Sequence, residues 1–322
     1  MVIIMKTLFV EKKAMELRYE RACLLLYHEG KRVSSVPLAQ LERIVVAPHV
    51  ALSAGVLGLV AEKNVALLIV NSRYPDRTAV LSGAMKGDVQ RRLTQYQLQQ
   101  DAPFRLHWSV FLVRLKIIRH CRLLMKLRHH RPDLRHSLTQ AIEALECLVD
   151  SLGEDESSLS LPSLRGKEGA AAALFFKAFT GVFPDSLGFT GRNRRPPKDP
   201  VNVCLSLAYT LCYQEAVNAL RTVGLDPSLG CLHEPYYSRD SLACDLMEPL
   251  RPLVDAWVYQ LFHRAVLRQE DFTITDMCLL QATGKQRFYQ AFRQKSPAFR
   301  CLLRRYARVA VNIVCQHEQS LH

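Results

Sequence analysis

Between residues 231 and 252 the chain reads CLHEPYYSRDSLACDLMEPLRP, which sets His233 twelve positions before Asp245 and fifteen before Glu248. Carboxylate oxygens suit a hard cation such as Mg2+ or Mn2+, and a neutral imidazole is compatible with Mn2+. Asp245 and Glu248 are three apart, a spacing that puts both on one face of a helix. Pro249 and Pro252 work against that geometry. Each ring clashes with the carbonyl four residues back, so the helix must kink there or begin only after Glu248. The same side chains fit a surface cluster in salt bridges with Arg239 and Arg251 equally well.

Two further stretches carry chemistry. In LRGKEGAAAALFF (164–176), Glu168 stands between Gly166 and Gly169 at what should be the beginning of an Ala-rich helix. Small residues there admit a close backbone or ligand, and an acid in the first turn is favoured by the helix dipole. Taken alone, this stretch reads more simply as an acid satisfying that dipole at a helix contact. GRNRRPPKDPVN (191–202) carries Arg192, Arg194, Arg195 and Lys198 on an irregular loop. Guanidinium forks match phosphate oxygens, and Pro196-Pro197 stiffens the segment that would hold them out. A solvated basic loop is the plainer alternative. The stretch 284–308 interleaves Phe and Tyr with basic residues and reads as a packed helix with a basic outer face.

The elements that must position these residues change character along the chain. Up to about residue 85, short Leu-, Val-, Ile- and Tyr-rich runs alternate around Leu8–Val10 and Leu17–Tyr19, with turn signals at Gly30 and Pro75-Asp76. VALSAGVLGLVAEKN reads as a helix and VALLIV as a buried strand. From Gly87 onward the period is helical. Leu106, Val110, Val113, Ile117, Cys121 and Leu124 mark one face, and Lys116, Arg119, Arg122 and Lys126 fall on the opposite one. Further helices are expected at 136–151, 166–182, 201–223, 249–268 and 285–317, with a loop over 153–163. The fold class is therefore α+β: a small β-rich domain over 1–86, then a larger all-α domain over 87–322.

Composition narrows the partners. The 322 residues are 49% hydrophobic and 23% charged, a globular balance, with a formal net charge of +13 that favours an anionic partner such as nucleic acid or an acidic membrane surface. None of the ten cysteines forms a C-x-x-C pair, which argues against a zinc ribbon. Cys23, Cys121, Cys147, Cys204 and Cys212 sit in apolar runs as small core residues, the usage of a reducing cytosol. The opening MVIIMKTLFVEKK makes a poor signal peptide. No uncharged apolar run approaches the roughly 20 residues of a membrane helix. A soluble, cytoplasmic protein without a membrane partner is expected.

In order, LRGKEG, GRNRRPPKDPVN, GLDPSLGCLHEP and SLACDLMEPLRPLVD resemble the CRISPR adaptation integrase family, the metal-dependent endonuclease that inserts new spacers. LERIVVAPHVALSAGVLGLVAEKNVALLIVN is similar to that family's β-domain, so the resemblance covers nearly the whole chain. It implies Mg2+ or Mn2+ held by Glu168, His233 and Glu248, with Asp245 either coordinating or orienting the ligands. Asn202 would sit near the site, and Arg194, Arg195 and Arg251 match positions suited to phosphate contact. Three residues depart from the family pattern: Lys167 where an apolar residue is usual, Phe175 where a Tyr is common, and Pro249 in place of a helix former.

The chemistry so implied is phosphoryl transfer at one divalent ion. The 3′-hydroxyl of a captured DNA fragment attacks a phosphodiester at the repeat border, or water attacks in a nuclease mode. His233 is either a ligand or a general acid for the leaving group. Lys116, Arg119, Arg122 and Lys126, with the Arg loop, would contact the backbone of double-stranded and branched DNA. The resemblance further implies a homodimer made through the β-rich domain and a small second adaptation protein bridging two dimers. The alternatives are a catalytically inactive DNA-binding scaffold and an unrelated metal-dependent phosphodiesterase acting on small substrates.

Overall fold

Short apolar runs, alternating in Met15–Glu20 and nearly continuous in Thr7–Val10, Cys23–His28, Arg43–Val46 and Ala66–Ile69, build the first part of the chain. β1 (Val2–Ile4) pairs antiparallel with β2 (Thr7–Val10). β3 (Met15–Glu20), β4 (Cys23–His28) and β5 (Lys31–Pro37) form successive hairpins. The β4–β5 link is Glu29-Gly30, with φ of 50° and 77°, the backbone whose twist matches a two-residue hairpin, so the turn expected at Gly30 forms there. β6 (Arg43–Val46), β7 (Ala51–Leu52), α1 (Ala54–Glu62), β8 (Ala66–Ile69) and β9 (Ala79–Leu81) complete this part. The sheet orders are β1-β2-β6-β8-β9 and β5-β4-β3-β7. α1 is the crossover between the sheets' later strands, capped by the Ser53 hydroxyl, which accepts from Val56 N at 3.4 Å. It runs close over β3: a Cβ at Gly55 would stand 2.3 Å from Cε1 of Tyr19. Leu8, Leu17, Leu24, Leu26, Ile44, Val56 and Leu67 are fully buried in the core this creates.

The computed structural model describes residues 2–4, 7–41, 43–63, 65–70, 79–81, 89–153, 159–193, 196–237 and 239–320. The expected turn at Pro75-Asp76 lies outside them, as do Arg194 and Arg195. The chain divides into two compact units, Met1–Met85 and Lys86–His322.

The second unit is helical: α2 (Val89–Gln100), α3 (Ala102–His130), α4 (Arg135–Asp150), α5 (Leu161–Thr180), α6 (Pro200–Thr222), α7 (Ser241–Met247), α8 (Arg251–His263) and α9 (Ala282–Ser320). Asp101, Ser160 and Asp199 cap α3, α5 and α6 by accepting from backbone N–H groups, and each helix has a proline in its first turn, where the missing donor costs nothing. Two details differ from expectation. α5 begins at Leu161 rather than Gly166, so Glu168 lies two turns inside the helix, beyond reach of the dipole effect. The unit also holds a hairpin, β10 (Phe272–Ile274) with β11 (Cys278–Leu280), after a shorter α8. Cys121, Cys204 and Cys212 are buried as expected of core residues, whereas Cys147 is exposed. Within α9, Phe288, Phe292, Phe299 and Leu303 face inward, as expected of the 284–308 stretch. Among the described residues no helix is long and apolar enough to cross a membrane.

Candidate functional site

The central helix α3 packs against α4, α5, α8 and the turn between α7 and α8. Its buried residues form more than one stripe. Beside Val113, Ile117 and Leu124, a second row runs through Leu112, Lys116, His120, Leu123 and Leu127. Lys116 is therefore not on an outer basic face, and its expected contact with DNA is corrected: it is 5% exposed. Its ammonium donates to Oε1 of Glu168 from α5 and lies 2.5 Å from Oε2 of Glu248.

Glu248 starts a 3-10 turn, Glu248–Leu250, inserted between α7 and α8. Pro249 and Pro252 remove donors and obstruct the carbonyls of Asp245 and Glu248, which is why the helix breaks here as anticipated. The break leaves Asp245 and Glu248 on two different backbones with two different tasks. Asp245 is 0% exposed; Oδ2 accepts from the N–H groups of Cys231 at 2.6 Å and Leu232 at 3.0 Å. Its Oδ1 accepts from His233 N at 2.9 Å and lies 2.7 Å from His233 Nδ1. So many donors mark Asp245 as the acceptor, so Nδ1 carries a ring proton, and in the neutral ring Nε2 keeps its lone pair. That Nε2 stands 4.0 Å from Oε1 of Glu248. The loop bearing His233 is pressed onto the start of α7: a Cβ at Gly230 would stand 2.6 Å from His233 O and 2.7 Å from the Ser241 carbonyl carbon.

Glu248 is almost fully buried, and burial alone would raise its pKa. Arg251, Lys116 and His233 outweigh that, holding the carboxyl well below the usual carboxylate range. Arg251 Nε donates to Glu248 Oε1 at 2.8 Å, and its guanidinium lies 4.9 Å above the Tyr209 ring. Arg251, expected at a phosphate, is instead bound to the acid, the pairing that the salt-bridge alternative anticipated. The Tyr209 hydroxyl donates to Asp255 Oδ1. Behind it, His120 is stacked on Phe175 with ring centroids 3.8 Å apart. Burial pushes the His120 pKa below its ordinary value and outweighs the opposing pull of Asp255, whose Oδ2 lies 3.6 Å from His120 Nε2; His120 Nδ1 has no hydrogen-bond partner.

The remaining expected contacts separate. Arg119 donates to Pro249 O at 2.5 Å and to the Tyr306 hydroxyl, so it braces the turn rather than facing outward. Arg122, Lys126 and Lys198 are exposed. Asn202 is fully buried and clasps the Arg loop: its Nδ2 donates to Gly191 O at 2.7 Å and Asp199 Oδ2 at 2.6 Å, and its Oδ1 accepts from Arg192 Nη1 at 2.7 Å. Its role in the structure is to shape the loop; Arg192 then reaches Ser206 Oγ at 3.1 Å and lies 5.5 Å from the Tyr209 ring.

The family model for CRISPR associated protein Cas1 matches residues 8–294. The chain belongs to the Cas1 family. It is 34% identical over 293 residues to the CRISPR-associated endonuclease Cas1 1 of Thermodesulfovibrio yellowstonii, covering 90% of this chain and 91% of that protein. It is similar in fold to a casposase bound to integration product, with a TM-score of 0.79 and 20% identity, covering 96% of this chain and 91% of that one. A chain of a Cas6-RT-Cas1–Cas2 complex gives a TM-score of 0.80 at 23% identity, covering 96% of this chain; this chain spans only 35% of that longer one. The mixed fold, strands followed by mostly helices, is that of Cas1 structures.

The divalent ion that a Cas1 resemblance implies can be tested against these side chains. Among the described residues no three His, Cys, Asp or Glu side chains stand together in a metal-holding group. Glu168 and Glu248 nevertheless converge on one cation, the Lys116 ammonium, and His233 Nε2 stands 4.0 Å from the other oxygen of Glu248. Two carboxylates and an imidazole fixed through its other nitrogen by a carboxylate are a donor set that fits a hard divalent ion. The sequence reading missed Lys116 as part of this Cas1 site, along with His120, Tyr209 and Asp255. The available signal was the 112-116-120-123-127 row, an apolar stripe interrupted by two basic residues.

Proposed function

We propose that this chain is a divalent-metal-dependent DNA endonuclease and integrase of CRISPR spacer acquisition, acting in the cytoplasm on double-stranded and branched DNA. The observation that carries this reading is the meeting of Glu168 from α5 and Glu248 from the 3-10 turn at one positively charged position, with His233 Nε2, from the loop before α7, 4.0 Å from Glu248 Oε1. These three residues would hold Mg2+ or Mn2+. The ion would supply charge neutralisation at a phosphodiester and its leaving 3′-oxygen.

The protein's own residues do the rest. Asp245 fixes the His233 ring and its tautomer, so Nε2 is either a ligand or, once protonated, a donor to the leaving oxygen. Arg251 keeps Glu248 ionised and aimed. Exposed Arg122, Lys126 and Lys198, on a chain of net charge +13, would bind phosphates with steep salt dependence. A homodimer through the β-rich unit and a small second adaptation protein bridging two dimers complete the proposed assembly.

The Lys116 ammonium between the two acids favours one competing reading, a DNA-binding scaffold without catalysis, because an internal cation already satisfies both carboxylates. A supercoiled plasmid and a branched DNA, each incubated with Mn2+ or with chelator, separate the two. Nicking or strand joining that requires the ion and falls roughly 10²–10³-fold in Glu168→Ala and His233→Ala supports the enzyme. DNA binding with no metal-dependent turnover supports the scaffold.

A further inference from the structure

Lys116 is the feature of the site that neither the family resemblance nor the reaction requires. Its Nζ holds Glu168 Oε1 and Glu248 Oε2 together, on the buried side of the cluster. Glu168 and His233 are the more open members, with side chains 26% and 32% exposed. The second oxygen of Glu248 is already taken by Arg251 at 2.8 Å. Both oxygens of Glu248 and Oε1 of Glu168 are therefore already engaged, so an ion at the meeting point of the two acids has to share Glu248 with the ammonium or with Arg251. An ammonium and a divalent cation repel strongly at such distances in a partly buried site.

We propose that Lys116 is the resident counter-cation of the metal-free site and competes directly with the divalent ion for Glu168 and Glu248. Resting on the assignment of Glu168, His233 and Glu248 as the ion's holders, this makes Lys116 a positioning residue that keeps the half-buried Glu168 and the buried Glu248 paired until the ion enters from the exposed side. The two carboxylates are held side by side and do not spring apart while the ion is absent. The cost is affinity: each ion bound must displace the ammonium or tolerate its repulsion, so the site binds more weakly than its donors allow.

The test is Mn2+ binding to the full-length protein by titration calorimetry, with melting temperatures recorded in chelator and in Mn2+. Lys116→Met is expected to bind Mn2+ about tenfold or more tightly than the wild type. In chelator it melts lower, and Mn2+ raises its melting temperature by more than it raises the wild type's. Lys116→Arg, which keeps the charge and grips both acids with a forked group, is expected to bind Mn2+ several-fold more weakly, and it serves as the deciding variant should Lys116→Met fail to fold. Unchanged or weaker Mn2+ affinity in Lys116→Met, or unchanged or tighter affinity in Lys116→Arg, overturns the inference while His233→Ala still weakens binding. Mn2+ binding that is indifferent to His233→Ala overturns instead the ligand assignment beneath it.

Discussion

The two units bury different kinds of side chain. In the β-rich unit the buried polar residues are Thr7 and Arg43 among the described residues, set in a core of Leu, Val and Ile. The helical unit buries Lys116, His120, Asp199, Asn202, Glu215, Asp245, Glu248, Asp255 and Asp271. Apolar burial is non-directional and tolerates repacking, whereas a buried charge is costly unless partners stand at hydrogen-bonding distance. The helical unit has accordingly arranged its charges in sets: Lys116 with two acids, Asp245 with a loop backbone, Arg300 with Glu215 at 3.1 Å, and Arg287 with Asp271 at 2.8 Å. A unit that only had to be stable would gain from replacing such sets by hydrocarbon. Their concentration on one side of the chain is what chemistry demands of a fold.

The sharpest break of this contrast is Asp245→Ala. It strips the acceptor from two buried backbone N–H groups and a half-buried one, and from the His233 ring, at once, and should cost about 3–5 kcal/mol in denaturant unfolding. Loss of less than about 1 kcal/mol would show that the loop does not depend on it. Next, Leu17→Ala in the β-rich unit should cost about 3 kcal/mol through a cavity, with a cost that does not vary between pH 5.5 and 7.5 because a hydrocarbon side chain carries no titrating group.

A smaller, pH-dependent effect belongs to His120. Its folded pKa lies below 6.5, so unfolding takes up a proton, and its contribution to stability declines as pH falls beneath that unfolded value. Unfolding curves at pH 7.5, 6.5 and 5.5 should show wild type losing up to about 1.4 kcal/mol per pH unit relative to His120→Phe, which keeps the ring stacked on Phe175. Parallel curves would remove His120 as a source of acid sensitivity. The smallest effect is expected at Glu16→Gln: its pair with Arg18 lies at the solvent-facing surface, and the denaturation midpoint should not move measurably.

Much of this organisation is written locally. The hairpin turn at Glu29-Gly30, the helix over Ala54–Glu62 and the break that Pro249 and Pro252 impose each follow from a few adjacent residues. Other features depend on what a helix packs against. The periodicity of α3 shows one apolar face, but α3 is covered on several sides, so Lys116 and Arg119 could be read as outward-facing when both are enclosed. The start of α5 was missed where an acidic, Ser-rich run obscured a cap at Ser160 followed by Pro162. The β10–β11 hairpin is two three-residue strands, too short for alternation to stand out. In the site, His233, Asp245 and Glu248 had residue types and spacing that suit a metal or a salt-bridged cluster equally, and Glu168 was singled out as a ligand only by the family resemblance. Lys116 had neither, because its meaning comes only from two acids 52 and 132 positions away.

Arg119 gives the long C-terminal helix a stake in all of this. One guanidinium nitrogen holds both the carbonyl of Pro249 and the hydroxyl of Tyr306, so the backbone that delivers Glu248 is moored to α9. Shortening the chain ahead of Tyr306, or replacing it with Phe, would slacken that mooring without touching an acid. Loss-of-function substitutions should therefore surface well outside the conspicuous motifs, in a stretch whose own composition suggests nothing more than packing.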